Sequence, residues 1–362
     1  MKLKTCVRVS IYLLVLSLSS GITNAQFQEG QGVSLLGWMD FRSIVNVPNS
    51  DLILGNGHIF IGTYRSPGRV HIVDVRDPQN LRLVGTYFPS ISGLIMSVKV
   101  QGNFLFAALS TRGVGIADVS DPANPREIAM YTENIRNGVH NLFVDGDYMY
   151  LCDNGSGPLH IVNISDPANP FEVATHRPTR GRTHDLAVYE NRAYLANLGG
   201  GFQILDVSDP SNPTILATHA YSGAVTHDAW PSPDRNFLLT TDESCAGGHL
   251  RIWDISDFDN IRQVGEYQAD GARNLSIHKS EWVDNYIFIG YYQKGLRVVD
   301  VTDPTQPTEV AHYNTWDNTR VLLACYEGAW GTVTERAGDT FRIYVSDIST
   351  GLWVFDLTPI KQ

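Results

Sequence analysis

Residues Gly201 to Pro213 read GFQILDVSDPSNP, a short apolar strand pattern closed by an Asp-Pro turn. The pattern returns along almost the whole chain: RVHIVDVRDPQN from Arg69, GVGIADVSDPANP from Gly113, PLHIVNISDPANP from Pro158, HLRIWDISDFDN from His249, GLRVVDVTDPTQP from Gly295 and GLWVFDLTP from Gly351. The aligned position is Asp74, Asp118, Asn163, Asp206, Asp254, Asp300 and Asp356, at spacings of 44, 45, 43, 48, 46 and 56 residues. A period in that range marks a propeller or solenoid, in which one supersecondary unit is copied because a single copy cannot bury its own apolar face.

The third copy shows the layout of a unit. Val139 to Val144 is apolar, Asp145-Gly146-Asp147 is a turn, Tyr148 to Cys152 alternates, Leu159 to Ile164 follows a loop, and Phe171 to Thr175 comes after the Asp166-Pro167 break. Four short strands with turn signals between them and no helical periodicity describe an antiparallel propeller blade. The last copy ends after its third strand at Asp356-Leu357. The orphan stretch Val33 to Trp38, VSLLGW, resembles the fourth strands LVGTY from Leu83 and QVGEY from Gln263. The expected fold is therefore all-β, a seven-bladed β-propeller of four-stranded antiparallel blades whose N-terminal strand completes the last blade and removes the open edges. It would occupy residues 26–362 as one domain, and a closed ring needs no second copy, so a monomer is expected.

Lys2, Lys4 and Arg8, an apolar run from Val9 to Leu18 and small residues up to Ala25 have the anatomy of a cleaved secretory signal over residues 1–25. The run is too short to span a bilayer, and no later apolar stretch is long enough. Periplasm or medium is the expected location. The formal charge of −11 becomes −14 when the three basic groups of residues 1–25 are removed, which argues against nucleic acid or anionic lipid as a partner. Cys152, Cys245 and Cys325 fall in the third, fifth and seventh copies, which are not neighbours, so they read as buried or free thiols. The recurring carboxylates Asp74, Asp118, Asp206, Asp254 and Asp300, with Asp77, Asp121, Asp166, Asp209 and Asp303, could suggest repeated calcium sites. Acceptance of turn N–H groups explains them better.

Alignment on the second strands puts His140, His184, His227 and His278 at one equivalent place, the start of the inner strand, with Ser50 and Met96 there in the first two copies. In the seventh, YEGAWG from Tyr326 mirrors THDAWP from Thr226 and offers Glu327. Asp153, Asn197, Asp242, Glu243, Tyr291, Tyr292 and Asp347 end the second strands, Asp185 and Asp228 follow two of the histidines, and Arg136, Arg180, Arg182 and Arg273 precede the inner strands. All are expected at one mouth of the channel, the face where propellers display their binding loops. Three readings stay open. The imidazoles could bond neighbouring backbone; His140, His184, His227 and His278 with Glu327, Asp185 or Asp228 could hold a divalent metal such as zinc or manganese; or His184 or His227 could serve as a base while Arg182 or Arg273 holds an acidic sugar. Gly199-Gly200-Gly201 and Gly247-Gly248 precede no helix and make no phosphate cradle. Trp253-Asp254 lacks the matching Gly-His of WD repeats.

The third-strand signatures HIVDV, QILDV and RVVDV resemble the LVIVD-repeat propellers. THDAWPSPDRNFLLTTDE from Thr226, GLRVVDVTDP from Gly295, EGAWG from Glu327 and YVSD from Tyr344 resemble more closely the group called choice-of-anchor B. The resemblance covers about residues 33 to 357. It implies an exported or surface-displayed propeller without an established reaction; members often carry a C-terminal sorting segment, and Gln362 follows the last blade directly, which favours release. The resulting expectation is a scaffold that binds a protein or glycan partner through the top face. The alternative is an extracellular polysaccharide lyase or hydrolase, with or without a metal.

Overall fold

The computed structural model describes residues 30–44, 47–155, 157–318 and 324–358; the expected signal, with Cys6, lies outside them. Seven four-stranded antiparallel sheets follow one another, spanning residues 49–87, 95–131, 139–176, 185–219, 226–267, 280–313 and 329–357, the last joined by Ser34–Met39. First strands touch first strands of the next blade around the circle, and the series returns from Ala329–Ala337 to Asn49–Gly55. The first strands therefore line a central channel, and this is a seven-bladed propeller.

Closure occurs where the fourth-strand resemblance places it. Ser34–Met39 pairs antiparallel with Gly351–Leu357, with Leu35 opposite Phe355 and Trp38 opposite Trp353. The two indoles stack at 5.1 Å between ring centroids, and the Trp38 indole N–H donates to the Thr350 carbonyl at 2.8 Å. Ser34–Met39 thereby becomes the outer strand of the seventh blade and fastens the two ends of the ring to each other.

The repeated turn carboxylates bond the backbone. The side chains of Asp118, Asp206, Asp254 and Asp300 accept the N–H groups of Ser120, Ser208, Ser256 and Thr302, and those of Asp121, Asp166, Asp209 and Asp303 accept the N–H two residues on. These turns also explain the glycine of the fourth strand. A Cβ on Gly85 would lie 1.9 Å from the Pro122 carbonyl oxygen of the next blade's turn, and one on Gly37 would lie 1.9 Å from that of Pro78. The turns at Pro78, Pro122 and Pro304 thus dock on the outer strand of the preceding blade, the first of them on the blade closed by the N-terminal strand. The apolar core lies between adjacent sheets: Phe60, Val70 and Ile72 pack on Ile95, Val98 and Leu105, and the same layering recurs around the ring.

The cysteine expectation is corrected. Cys245 and Cys325 form a disulfide, with Cα atoms 5.7 Å apart, while Cys152 is a buried thiol. Cys325 does not sit in a strand of the seventh blade. It lies in the short 3-10 turn Ala324–Tyr326 that enters it, and from there it reaches the loop between the second and third strands of blade five.

Candidate functional site

The inner strands begin with an irregularity that brings consecutive side chains to the channel. Register shifts separate Ile95 from Ser97, Val139 from Asn141, Thr226 from Asp228 and Ala329 from Gly331, and a bulge re-aims the side chains on either side of it. Met96, His140 and His227, each at such a shift, line one cavity of about 320 Å3 together with His184 and His278, which precede the regular strands Asp185–Tyr189 and Ser280–Val283, whereas Asp185, Asp228 and Lys279 line a second with Asp51, Lys99 and Glu281.

The upper cavity is the mouth. His140, His184, His227 and His278 form an arc, with successive ring centroids 3.9, 4.4 and 4.3 Å apart. Glu243, Tyr64, Tyr292, Tyr326 and Trp330 complete the wall together with Met96. Burial holds the imidazoles neutral: His140 is pushed down to about 4 and His278 to about 3, while His184 and His227 lie well below their ordinary value, with neighbouring imidazoles adding to the effect of burial. His140 Nδ1 meets Asn154 Oδ1 at 3.1 Å and His278 Nδ1 bonds the Trp330 carbonyl, whereas the buried Nδ1 atoms of His184 and His227 have no hydrogen-bond partner. Glu243 accepts the Tyr292 hydroxyl at 2.7 Å and stands 3.9 Å from His227 Nε2 and 4.0 Å from His278 Nε2. Burial raises its carboxyl above the ordinary range, against the opposing hydrogen bond from Tyr292.

The lower cavity is an ionic layer. Asp51 accepts Ser97 Oγ at 2.7 Å and Lys279 Nζ at 3.1 Å, with Lys99 Nζ at 3.5 Å. Burial pushes Asp51 up, but the two ammonium groups and Ser97 outweigh it and hold the carboxyl well below its usual range. Asp185 lies 3.6 Å from Lys279 and is raised by burial. Asp228 accepts the backbone N–H and hydroxyl of Ser280 at 2.8 and 2.9 Å; burial and the neighbouring Asp185 push it up to about 7, and burial pushes Glu281 up to about 8.

Several expected mouth residues are placed elsewhere. Glu327 is not the seventh counterpart of the histidines: Ala329 opposes Asp347 as Thr226 opposes Asp242, which puts Trp330 at that position. Glu327 is buried in the approach to the strand and accepts Ser349 Oγ at 2.8 Å. Asp242 accepts the Tyr221 hydroxyl, the Val225 N–H and Arg251 Nε, Asp153 accepts the Gly155 N–H, Asp347 accepts the N–H groups of Ser349 and Thr350, and the Tyr291 hydroxyl donates to the Gly248 carbonyl. These second-strand ends fasten loops. Arg182 donates to the carbonyls of Asn154 and Gly155, behind His140, and Arg273 is exposed and outside the mouth's lining. The sequence did not single out Tyr64, Tyr326 and Trp330. Tyr64 follows Thr63 as Glu243 follows Asp242 and Tyr292 follows Tyr291, so the position after the second strand carries a signal that the repeat alignment could have found.

The LVIVD repeat model matches residues 92–133, 138–176, 180–219 and 282–315; the chain carries LVIVD repeats, arranged here as a seven-bladed propeller. No curated protein matches by sequence. Similar solved structures include the β-propeller domain of Myceliophteria thermophila Cps50 (Swd1), at 12% identity and TM-score 0.64, covering 90% of this chain and 100% of that one. Saccharomyces cerevisiae Sqt1 aligns at 9% identity and TM-score 0.67, covering 91% and 100%, and the WD40 repeats of RRP9 at 10% and 0.68, covering 92% and 100%. At these identities the likeness concerns the fold alone.

Proposed function

We propose that this LVIVD-repeat propeller is an exported binding scaffold of the choice-of-anchor B kind, which seats a group of its protein or glycan partner in the imidazole-lined mouth. The observation that carries this reading is the composition of the mouth: neutral imidazoles and one carboxylate inside, with the rings of Tyr64, Tyr326 and Trp330 at the wall. Aromatic faces around a few convergent polar groups are the usual make-up of a ligand seat. A cavity of about 320 Å3 is at the low end for such seats, so one side chain or sugar unit enters and the rest of the partner lies across the rim. The Cys245–Cys325 disulfide supports export, because such bonds persist in oxidising compartments.

The same geometry favours binding over proton transfer by these residues. A base works best with a pKa near the operating pH, and the four imidazoles lie far below it. Arg182 is engaged by loop carbonyls and Arg273 stands outside. The test is an array of extracellular anionic and neutral glycans, together with a pull-down of surface proteins, probed with the mature chain and with Trp330→Ala and His184→Gln. Binding that falls at least roughly tenfold in both variants, with both still folded by circular dichroism and no chain cleavage, is the expected result. Full binding in both variants would dismiss the mouth as the seat.

A further inference from the structure

The mouth is electron-rich and has no cation of its own. Among the described residues that line it there is neither lysine nor arginine, yet it gathers four imidazoles around a half-buried carboxylate. The ring nitrogens that stand nearest that carboxylate are Nε2 of His227, at 3.9 Å, and Nε2 of His278, at 4.0 Å. Two sets of potential ligand atoms fall within 4.8 Å of one another: His140, His184 and His227, and His227, Glu243 and His278.

The second set has the features of a metal centre. In His278 the Nδ1–H donates to the Trp330 carbonyl, which fixes the tautomer and leaves the Nε2 lone pair facing Glu243. Such outer hydrogen bonds orient histidine ligands in metalloproteins. Tyr292 holds the Glu243 carboxylate in the same way at 2.7 Å. Ligand atoms on a tetrahedral zinc with bonds of ~2.1 Å lie about 3.4 Å apart, and the separations of 3.9 and 4.0 Å from Glu243 to the two imidazoles close to that value through small side-chain rotations. Two imidazoles and a carboxylate suit a divalent cation of borderline softness and leave a fourth position open.

We propose that the mouth binds one zinc-type divalent cation through His227, Glu243 and His278, with the open position directed to the partner. This rests on the reading of the mouth as the binding seat and names the chemistry of that seat: the partner presents an oxygen or nitrogen donor to the ion. His184 lies beside the centre, packed on His227 at 4.4 Å.

The test uses untagged, chelator-stripped protein titrated with zinc chloride by calorimetry and with cobalt chloride by visible absorption. Wild type is expected to take up about one ion per chain and, with cobalt, to give the intense d–d bands of a four-coordinate nitrogen and oxygen site. Glu243→Gln, which keeps shape and loses charge, is expected to weaken zinc by roughly tenfold or more, and His227→Ala by roughly 100-fold. Absence of zinc uptake by folded wild type, or equal zinc affinity in wild type and Glu243→Gln, would overturn the assignment. A partner-binding arm with and without chelator separates the two ideas. Partner binding that survives chelation but is lost in Trp330→Ala overturns the ion and leaves the seat; zinc uptake without any partner leaves the ion and removes the seat.

Discussion

Replacing Cys245 and Cys325 together by serine tests whether the mouth is held by a covalent tie. The two cysteines are 80 residues apart, so opening the bond frees the unfolded chain of a long loop. In the chain-entropy treatment that loop is worth about 15 cal/mol/K, or about 4.5 kcal/mol at 25 °C. With an unfolding entropy near 2.1 cal/mol/K per residue over roughly 330 residues, the expected drop in Tm is about 6 °C. Scanning calorimetry of the mature wild type and the double variant reads this directly, and wild type under reductant should move toward the variant. The local effect is specific as well. Glu243 lies two residues before one cysteine and Tyr326 directly after the other, and both line the mouth, so ligand affinity should fall at temperatures where both proteins are folded. Equal melting temperatures, or a thiol assay on the unfolded, unreduced chain that finds every cysteine free, would refute the argument.

Two further outcomes are expected. Gly37→Ala puts a Cβ 1.9 Å from the Pro78 carbonyl oxygen, and overpacking of that kind should cost about 1–3 kcal/mol in chemical denaturation; an unchanged midpoint would mean that the N-terminal strand does not seat against the first blade's turn. His278→Asn keeps a donor toward the Trp330 carbonyl and removes a buried imidazole whose pKa is pushed down to about 3. A depressed histidine leaves stability untouched above the unfolded value of about 6.5 and withdraws it as pH falls from there toward the folded value, so between pH 7 and pH 5 wild type should lose about 2 kcal/mol relative to the variant. Asp228 and Glu281, whose raised pKa values act with the opposite sign, are common to both proteins and cancel in the comparison. Parallel stability curves from denaturant unfolding at several pH values would refute it.

The ring was legible because its information is periodic. The Asp-Pro turn, the alternating third strand and the fourth-strand glycine each recur, and even the strand that closes the circle carries the same glycine, Gly37, that Gly85 and Gly265 occupy elsewhere. The four histidines were legible for the same reason. What failed was aperiodic. The seventh blade has the longest spacing, its first strand is approached through a 3-10 turn, and the local likeness of EGAW to THDAW pointed to Glu327 when the register selects Trp330. The disulfide escaped because Cys325 belongs to that irregular approach, from which it reaches blade five, whereas counting repeats placed it within the seventh blade, out of reach of Cys245. Asp153, Asp242 and Asp347 were expected to face ligand, yet a carboxylate ending a strand beside a loop finds backbone N–H groups first.

The two layers of the channel together explain why a cation from solvent is the natural complement of the mouth. In an ordinary strand consecutive side chains take opposite faces, so a histidine in the channel would send its successor into a blade. A bulge breaks that alternation between Thr226 and Asp228, and His184 and His278 stand just before their regular strands begin, so Asp185, Asp228 and Lys279 line the lower cavity while His184, His227 and His278 line the mouth. Below, Lys99 and Lys279 are absorbed by Asp51 and Asp185, while Asp228 and Glu281 are driven toward their neutral forms. Both ammonium groups are thereby committed to the lower carboxylates. Glu243, above them, is left with a tyrosine hydroxyl and neutral imidazoles, a surrounding that meets hydrogen-bond demand but not charge. A divalent ion at that point would satisfy the carboxylate and the Nε2 atoms of His227 and His278 at once, whereas a second anion would meet the negative charge of Glu243.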